Sequence, residues 1–298
     1  MIAVLGATGN VGGKIAALLA KENEPIRVIA RTDSRLRPLV GKNVSAYAGD
    51  ITNAEFLAKA LKGADAVFTL IPPNPTSPEF LRYADRIGEN IAKALDATKV
   101  KYVLNLSSVG AEIASGTGPI KGLHKMEERL DKIPGLNVLH VRAAYFMENL
   151  LWNIGLITTK GIAGSALRGD LKMPMIATKD IAAFAAERLV KRDFTGTSVR
   201  YLLGHRDLTM SEAAGVLGGK IGKPELQYVQ FPHDEAEKGM IAMGLSPDMS
   251  RNYVEMARAF NDGLIKAEIR TTTNTTPTSV ETFCEEVFVP AFKQAKAA

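Results

Sequence analysis

The chain has 298 residues, of which 46% are hydrophobic and 23% are charged. This length and composition are typical of a globular protein with one large or two medium domains, and they exclude disordered, collagen-like and coiled-coil classes. Its 37 Lys and Arg against 32 Asp and Glu give a net charge of +5, which favours anionic ligands. Because the charges are interspersed and no basic helix stands out, we expect no nucleic-acid partner.

The residues that bind metals or form disulfides are few. Cys284 is the single cysteine, so it cannot form an internal disulfide or a thiolate metal site. The histidines show no ligand spacing, and no metal is expected. The N-terminal segment has none of the regions of a secretory signal, and no apolar run approaches the roughly 20 residues that span a bilayer. We therefore expect a cytoplasmic protein with no membrane partner.

Up to about Arg142, short β-branched apolar runs alternate with stretches whose apolar residues recur every three or four positions. This alternation predicts βαβ units, and hence an α/β fold: a doubly wound parallel sheet with ligands at the carboxyl ends of its strands. The predicted strands are Ile2–Leu5, Ile26–Ala30, Val44–Ala48, Ala66–Leu70, Tyr102–Leu106 and Val138–Val141. The predicted helices between them are Gly12–Lys21, Asn53–Lys62, Glu79–Thr98 and His124–Lys132.

Beyond Arg142 the pattern is less regular and indicates a smaller, mixed α/β region. A helix is predicted from Thr178 to Lys191, with Thr178 or Asp180 as its N-cap. Thr209 to Glu212 opens a further helix, Leu226–Phe231 is predicted as a strand, and a last helix is predicted near Ser279–Gln294.

A glycine-rich turn follows the first strand and opens the first helix. Glycine at such positions permits a tight turn and lets the backbone approach a pyrophosphate, whose charge then lies on free N–H groups at the helix start. In this context the turn predicts a dinucleotide site, although a plain turn with a helix cap is the alternative. The residues assigned to it are Gly6, Thr8, Gly9, Asn10, Val11 and Gly12.

The end of the second strand distinguishes between the two nicotinamide cofactors. About 20 residues after the last glycine, NAD-dependent enzymes carry an acid that binds the ribose 2′-hydroxyl. This chain has Arg31 there, and its guanidinium group suits a 2′-phosphate, with Arg35 nearby as a further donor. The position favours NADP(H) over NAD(H), and the alternative is that both arginines are solvated loop residues.

Two further strand ends are expected to line the cofactor. Asp50 and Ile51 end the third strand and are candidates for holding the adenine, although the capping-box spacing of Thr52 to Glu55 makes a purely structural role the alternative. At the end of the fourth strand, the apolar atoms of Leu70, Ile71 and Pro72 are expected to pack along the cofactor.

These features, together with several later segments, resemble the NmrA-like group of atypical short-chain dehydrogenases/reductases. That group includes nitrogen-regulation sensors, NADPH-dependent quinone reductases and triphenylmethane dye reductases. The likeness covers essentially the whole chain, and the stretch Phe146 to Asn149 is its most distinctive part. The matching segments are Gly6–Gly12, Asn105–Ser108, Val141–Leu150, Lys179–Ala182 and Pro277–Phe283.

The resemblance also identifies an acid that this chain lacks. Typical members of the superfamily use a serine, and a tyrosine four positions before a lysine. Here the lysine is Lys125, but the tyrosine position holds Lys121, so the usual proton donor is missing. Ser107 or Ser108 matches the serine. The resemblance implies that Lys125 binds the nicotinamide ribose and that Ser107 lies beside the cofactor.

The face of the helix that carries Lys125 offers other proton donors. If this helix begins near Pro119, Lys121, His124 and Lys125 share one face, since residues three and four apart are neighbours. Histidine is the residue type suited to proton transfer near neutral pH, and a neighbouring cation favours the neutral form of a lysine, so His124 and a lysine of this face are candidate general acids. A solvated helix face is the alternative.

The acceptor side is assigned by the resemblance. Tyr145 and Phe146 are expected against the cofactor, and Phe146, Met147 and Asn149 are expected to close over the nicotinamide. Trp152 is expected to shape the acceptor pocket. The alternative is that Phe146, Met147 and Trp152 are core residues between the two regions.

The leading functional hypothesis is an NADPH-dependent oxidoreductase that transfers hydride to a small aromatic or quinone acceptor, a reaction for which positioning can replace acid catalysis. The alternative is a catalytically silent NADP(H) sensor with a protein partner. A sugar-nucleotide or polyol dehydrogenase or epimerase needs the missing tyrosine. Residues 1–150 are predicted as the NADP-binding domain and 151–298 as the substrate or interaction region, with about 176–205 returning to the sheet. A homodimer is left open.

Overall fold

A computed structural model describes residues 1–297 of the chain. At its centre is a parallel sheet whose inner strands are short apolar runs buried on both faces, which is typical of a parallel sheet covered by helices. The strands are β1 (Ile2–Leu5), β2 (Ile26–Ala30), β3 (Val44–Ala48), β4 (Ala66–Thr69), β5 (Tyr102–Ser108), β6 (Asn137–Ala143), β7 (Tyr145–Phe146), β8 (Ile162–Ser165), β9 (Met173–Ile176), β10 (Thr197–Leu202), β11 (Asp207–Leu208) and β12 (Gln227–Gln230).

Seven of these strands form the central sheet, in the order β10-β6-β5-β4-β1-β2-β3. The chain starts at β1, runs outward to β3, and then crosses back to β4 on the other side of β1. All six pairs of neighbouring strands are parallel. The direction of progression therefore reverses between β1 and β4, and a crevice forms outside the carboxyl ends of these two strands.

Helices cover both faces of the sheet. One face is packed by α1 and α7 through Ile15 and Ile181, and the other by α3, α4 and α5 through Leu57, Ile87 and Met126. No helix within residues 1–297 is long and apolar enough to cross a membrane. The helices are α1 (Gly12–Leu19), α2 (Asp33–Leu36), α3 (Ala54–Leu61), α4 (Phe80–Thr98), α5 (Ile120–Asp131), α6 (Asn153–Lys160), α7 (Thr178–Lys191), α8 (Met210–Lys220), α9 (His233–Ala242), α10 (Pro247–Asn261), α11 (Val280–Phe283) and α12 (Val289–Ala297).

A smaller mixed region lies beyond the central sheet. It contains a three-stranded sheet of order β11-β9-β7 and a two-stranded sheet of β12 and β8. Its own core includes Met175, Phe283 and Phe288. Two later elements join the first region instead, since α7 packs on α1 and β10 pairs with β6. The predicted fold class, a Rossmann-type doubly wound sheet with a smaller mixed α/β region, is confirmed.

The largest difference between predicted and observed bounds is at one helix start, and β5 and β6 each end two residues later than predicted. The fifth helix begins at Ile120, four residues before the predicted start at His124. The prediction that Thr178 or Asp180 caps α7 is wrong. The helix begins after Ala177, and the Glu148 carboxylate, from a distant segment, accepts hydrogen bonds from the Thr178 backbone N–H at 3.1 and 3.2 Å.

The Asp180 carboxylate has a different partner, because it accepts hydrogen bonds from the Thr278 backbone N–H at 2.9 Å and hydroxyl at 2.6 Å. At the start of α3, Asn53 is the cap in place of the predicted Thr52, and its side chain accepts from the Phe56 N–H at 3.0 Å. Caps supplied from nearby and distant residues thus both occur in this fold.

A buried carboxylate ties α5 to the sheet. Glu127 accepts a hydrogen bond from the Ser107 hydroxyl on β5. It also forms an ion pair with Arg142 Nη2 on β6 at 2.7 Å. Arg142 Nη1 in turn donates to the Tyr201 hydroxyl on β10 at 2.8 Å. Burial alone raises the pKa of the Glu127 carboxyl, but the hydrogen bonds from Arg142 and Ser107 outweigh burial and hold that pKa below its usual range.

We expect Glu127→Gln to lower the free energy of unfolding at neutral pH by about 2–4 kcal/mol, because Arg142 loses its buried counter-charge. The folded pKa of Glu127 is lowered, so its stabilisation is present above the ordinary glutamate pKa of about 4.3 and is lost as the pH falls through the folded value. Denaturant unfolding from neutral to acid pH should therefore show a shallower loss of stability in the variant. Equal slopes would contradict this expectation. The control is Glu89→Gln, an exposed partner of Lys93.

Candidate active site

The glycine turn after β1 is shaped by a close approach of its own backbone. Gly6 has a φ of +66°, a left-handed conformation that favours glycine. A Cβ on Gly12 would lie 2.4 Å from the Gly6 carbonyl oxygen, which no side chain tolerates. A Cβ on Gly6 would meet Leu70 Cδ2 at 2.9 Å, so the predicted cofactor residue Leu70 lies directly beside the turn.

This turn leaves backbone donors free at the start of α1. Val11 is the N-cap of α1 and gives no side-chain cap, and the first turn contains no acidic residue. The backbone N–H groups of Asn10 and Val11 make no hydrogen bond to another residue among 1–297. Thr8 is half-buried and Asn10 is exposed beside them. Free amides at a helix N-terminus bind phosphate groups, so these residues fit a pyrophosphate.

We expect Gly12→Ala to abolish dinucleotide binding and to lower the melting temperature, because the added methyl group forces the start of α1 away from the Gly6 carbonyl. Titration calorimetry with NADPH and thermal unfolding measure the two effects. The control is Gly215→Ala in α8, where a Cβ meets no atom within 4 Å. That helical substitution should be neutral or stabilise by up to about 1 kcal/mol. Retained NADPH affinity in Gly12→Ala would contradict this assignment of the turn.

Two cations without acidic partners follow β2. Arg35 Nη2 donates to the Thr8 carbonyl oxygen at 2.9 Å, which holds this loop against the glycine turn. Arg31 is exposed, and neither arginine forms an ion pair with another described residue. The nearby Asp33 is engaged by Arg37 at 2.7 Å. The loop therefore presents uncompensated positive charge, which suits a 2′-phosphate.

Sequence analysis missed two side chains of α4 on this side of the crevice. Burial raises the pKa of the half-buried Tyr83 phenol, and the charges of Arg31, Asp50 and Arg86 all lie close enough to influence it. Tyr83 and Arg86 thus share one neighbourhood with Arg31. No motif marks them, because α4 begins almost 50 residues after β2 ends.

The remaining residues assigned to the cofactor lie at the carboxyl edge in different settings. Asp50 Oδ1 accepts a hydrogen bond from the Thr52 N–H at 2.8 Å, so this exposed carboxylate shapes its own turn. Ile51 packs partly against the core under α3 and α4. Ile71 is buried and Pro72 is half-buried after β4. Their contact with adenine or ribose stays a prediction.

The three candidate proton donors on α5 point to three different elements. Lys121 Nζ forms an ion pair with Glu255 of α10 at 2.8 Å, and His124 Nδ1 lies 2.8 Å from the Ala111 carbonyl oxygen. Lys125 is exposed and lies 3.6 Å from Asp85 of α4. The shared face predicted for them exists on the helix, but their polar ends do not converge in this structure.

Of the two serines at the end of β5, Ser107 is buried and its hydroxyl is bound by Glu127. Ser108 is half-buried and donates to the neighbouring Val109 carbonyl oxygen at 2.9 Å. The structure therefore gives Ser107 a partner within the protein, and its contact with the cofactor stays a prediction.

The distinctive stretch Phe146 to Asn149 is linked to the glycine turn by a chain of polar contacts. Lys14 Nζ, on α1, donates to the Asn10 carbonyl oxygen at 2.9 Å and to the Thr178 hydroxyl at 3.0 Å. That hydroxyl donates to the Glu148 carboxylate, which also caps α7. Glu148 therefore positions the residues around it relative to the cofactor turn.

Around Glu148, aromatic and apolar residues occupy the boundary between the two regions. Phe146 packs partly against the central core, and Met147 is buried in the core of the smaller region. Asn149 is exposed, and Trp152 is 50% exposed, with its ring edge-to-face with Tyr253 at 5.9 Å between centroids. Met147 thus lies in the core, whereas Trp152 presents half of its surface to solvent.

Helix α10 closes over the carboxyl edge of the sheet. At its start, Asp248 Oδ2 accepts a hydrogen bond from the Phe80 N–H of α4 at 2.8 Å. Further along, Glu255 holds Lys121 of α5. A Cβ on Gly118 would lie 2.0 Å from the Asn252 carbonyl oxygen, which shows how closely the loop before α5 meets α10. On the same helix, the Tyr253 ring packs against Trp152.

A family model described as the NmrA-like family matches residues 1–285. The chain belongs to the NmrA-like family. Among curated relatives, the NAD(P)H azoreductase of Xenophilus azovorans is 26% identical over 285 residues, which cover 96% of each chain.

Solved structures share the fold over nearly the full length. An NADPH-dependent quinone oxidoreductase of Escherichia coli, crystallised with NADPH, superposes with a TM-score of 0.75 at 22% identity, covering 97% of this chain and 100% of that one. NmrA, a negative transcriptional regulator solved with NADP, superposes with a TM-score of 0.67 at 16% identity, covering 100% of this chain and 98% of that one. A protein named as a reductase and a protein named as a regulator thus share this fold.

Proposed function

We propose that this NmrA-like protein is an NADPH-dependent oxidoreductase that transfers hydride to a quinone or a similar conjugated acceptor. The observation that carries the proposal is the junction of the glycine turn with the loop after β2, where Arg35 binds the Thr8 carbonyl oxygen and Arg31 is left without an acidic partner. Free amides and free guanidinium charge side by side suit a pyrophosphate and a 2′-phosphate.

The cofactor would span the crevice from Arg31 to the stretch around Phe146. Gly6, Gly9 and Gly12 allow the backbone to approach it, and Arg31 and Arg35 bind its 2′-phosphate. Bound NADPH supplies the hydride. The protein has to hold the acceptor at the nicotinamide and exclude competing water, a task for which the half-exposed Trp152 and the neighbouring apolar side chains are suited.

We expect Arg31→Ala to weaken NADPH binding by about tenfold to a hundredfold, the effect of one charge-assisted hydrogen bond, with little change in NADH binding. Fluorescence titration with each cofactor measures the ratio. Arg37→Ala is the matched control, because the Arg37 guanidinium is already paired with Asp33. An equal loss of NADPH and NADH affinity in Arg31→Ala would argue against a 2′-phosphate contact.

Turnover is tested by acceptor-dependent NADPH oxidation with a panel of quinones and cationic dyes. We expect Lys125→Ala to lower kcat/KM by about tenfold or more, since the ammonium group would lose a charge-assisted hydrogen bond to the ribose. Lys125 is free to turn toward the crevice because it is exposed and its contact with Asp85 is 3.6 Å long. Lys132→Ala, at the exposed end of the same helix, is the control. Unchanged kcat/KM in Lys125→Ala would remove Lys125 from the site.

A catalytically silent NADP(H) sensor is the second candidate. It is favoured by the ion pair of Lys121 with Glu255, since the position of the usual acid is used here to hold α10. A sensor of this kind would couple cofactor binding to a protein partner. Tight NADPH binding without turnover of any acceptor in the panel would favour it over the reductase.

A further inference from the structure

Two tyrosines from distant parts of the chain lie beside residues that are assigned to the acceptor, since Tyr145 precedes Phe146 and Tyr253 contacts Trp152. Tyr145 lies directly after β6 and pairs with Met175 in the three-stranded sheet. Tyr253 lies on α10, with its ring against Trp152. Both are half-buried, and the two phenols are close enough to interact electrostatically. They are separated by more than 100 positions in the sequence, and only the docking of α10 brings them together.

The hydroxyl groups of these two tyrosines have no partner in the described chain. Neither hydroxyl forms a hydrogen bond with a residue among 1–297. Neither hydroxyl oxygen is fully buried, so both reach solvent. The neighbouring Tyr228 differs, because its hydroxyl donates to the Leu167 carbonyl oxygen at 2.9 Å and lies 2.6 Å from the Ser165 hydroxyl. Tyr228 is thus structural, whereas Tyr145 and Tyr253 keep a free donor.

We propose that Tyr145 and Tyr253 donate hydrogen bonds to the acceptor oxygen that becomes negatively charged when hydride is transferred. This inference rests on the proposed reductase function, and it narrows the acceptor class to molecules with a conjugated carbonyl oxygen, such as a quinone. A pair of phenols is suited to this role, because donors aimed at the oxygen where charge develops stabilise a transition state more than the ground state.

The protonation state of both phenols agrees with this role. Burial raises the pKa of Tyr145 well above its usual range, and the nearby Tyr228 and Tyr253 raise it further. Burial also raises the pKa of Tyr253. Both phenols therefore remain protonated at neutral pH and act as hydrogen-bond donors.

The electron balance of the step is simple. The hydride adds to one carbonyl oxygen of the quinone, the conjugated π electrons shift as the ring becomes aromatic, and an electron pair comes to lie on the other carbonyl oxygen, while NADPH is oxidised to NADP⁺. The two phenols stabilise the resulting oxyanion without losing their protons, and water then protonates it to give the hydroquinone. In this arrangement the two tyrosines take over from the acid that is absent at Lys121, whose ammonium group is held by Glu255.

The test compares two acceptors in two variants. With a benzoquinone we expect Tyr145→Phe and Tyr253→Phe each to lower kcat by about tenfold to a hundredfold, the range seen when one donor to an oxyanion is removed. With a cationic triarylmethane dye, hydride adds to carbon and no oxygen becomes charged, so the loss of kcat should be several-fold smaller than with the benzoquinone. Tyr102→Phe is the matched control, because Tyr102 starts β5 at the opposite end of the sheet, with its ring against Phe194.

A second measurement does not depend on turnover. The pKa of 4-nitrophenol bound to the protein with NADP⁺ is read from its absorbance. Hydrogen bonds from two phenols should lower this pKa relative to that of 4-nitrophenol in solution. We expect each Phe variant to reverse part of that shift while keeping the wild-type melting temperature. An unshifted pKa of the bound nitrophenol in the wild type, or equal kcat losses with quinone and dye, would overturn the assignment of the two tyrosines.

The two proposals fail in different ways. If the wild type reduces the quinone and both Phe variants do so at the same rate, the tyrosines are not donors, although the protein is still a reductase. If the wild type turns over neither quinone nor dye, the proposed function fails and this inference fails with it.

Discussion

The contact between the Gly12 backbone and the Gly6 carbonyl oxygen sets the start of α1, and the rest of the crevice is arranged around it. Because α1 starts there, the amides of Asn10 and Val11 are left free and Lys14 reaches Thr178 on α7. Thr178 is in turn bound by Glu148, so the glycine turn is linked to the segment around Phe146, which is proposed to line the acceptor side. The favourable free energy of binding an anion at this turn would come from the backbone N–H groups that the fold leaves without hydrogen-bond partners.

The polar groups of α5 serve mainly to hold the structure together. Glu127 binds Ser107 and Arg142 beneath the helix, and Lys121 binds Glu255 of α10. Ser107 and Lys121, which stand at the positions of the usual serine and tyrosine, are thus held in structural contacts. The donors that remain free, Tyr145 and Tyr253, come from the boundary with the smaller region. The proposed acceptor chemistry therefore depends on the later segments, whereas the proposed cofactor site lies at the central sheet.

Local patterns in the sequence were sufficient for much of the fold. The first three strands were predicted with their observed bounds, because each is a short apolar run between turn signals. The glycine turn was recognised because its spacing, its preceding strand and its following helix are all local. The start of α5 was predicted four residues too late. The segment from Ile120 to Leu123 contains none of the residues that usually mark the start of a helix.

Sequence reasoning did not reach contacts between distant segments. The cap of α7 by Glu148 and the hydrogen bond that Asp248 accepts from the start of α4 join residues that are 30 and 168 positions apart. The sequence by itself determined the parallel sheet, the glycine turn and the basic residues after β2, because periodicity and turn chemistry act over a few residues. Only the tertiary structure decided which carboxylates, lysines and phenols are paired and which are free, because a side chain's partner is set by packing between segments that no local pattern relates.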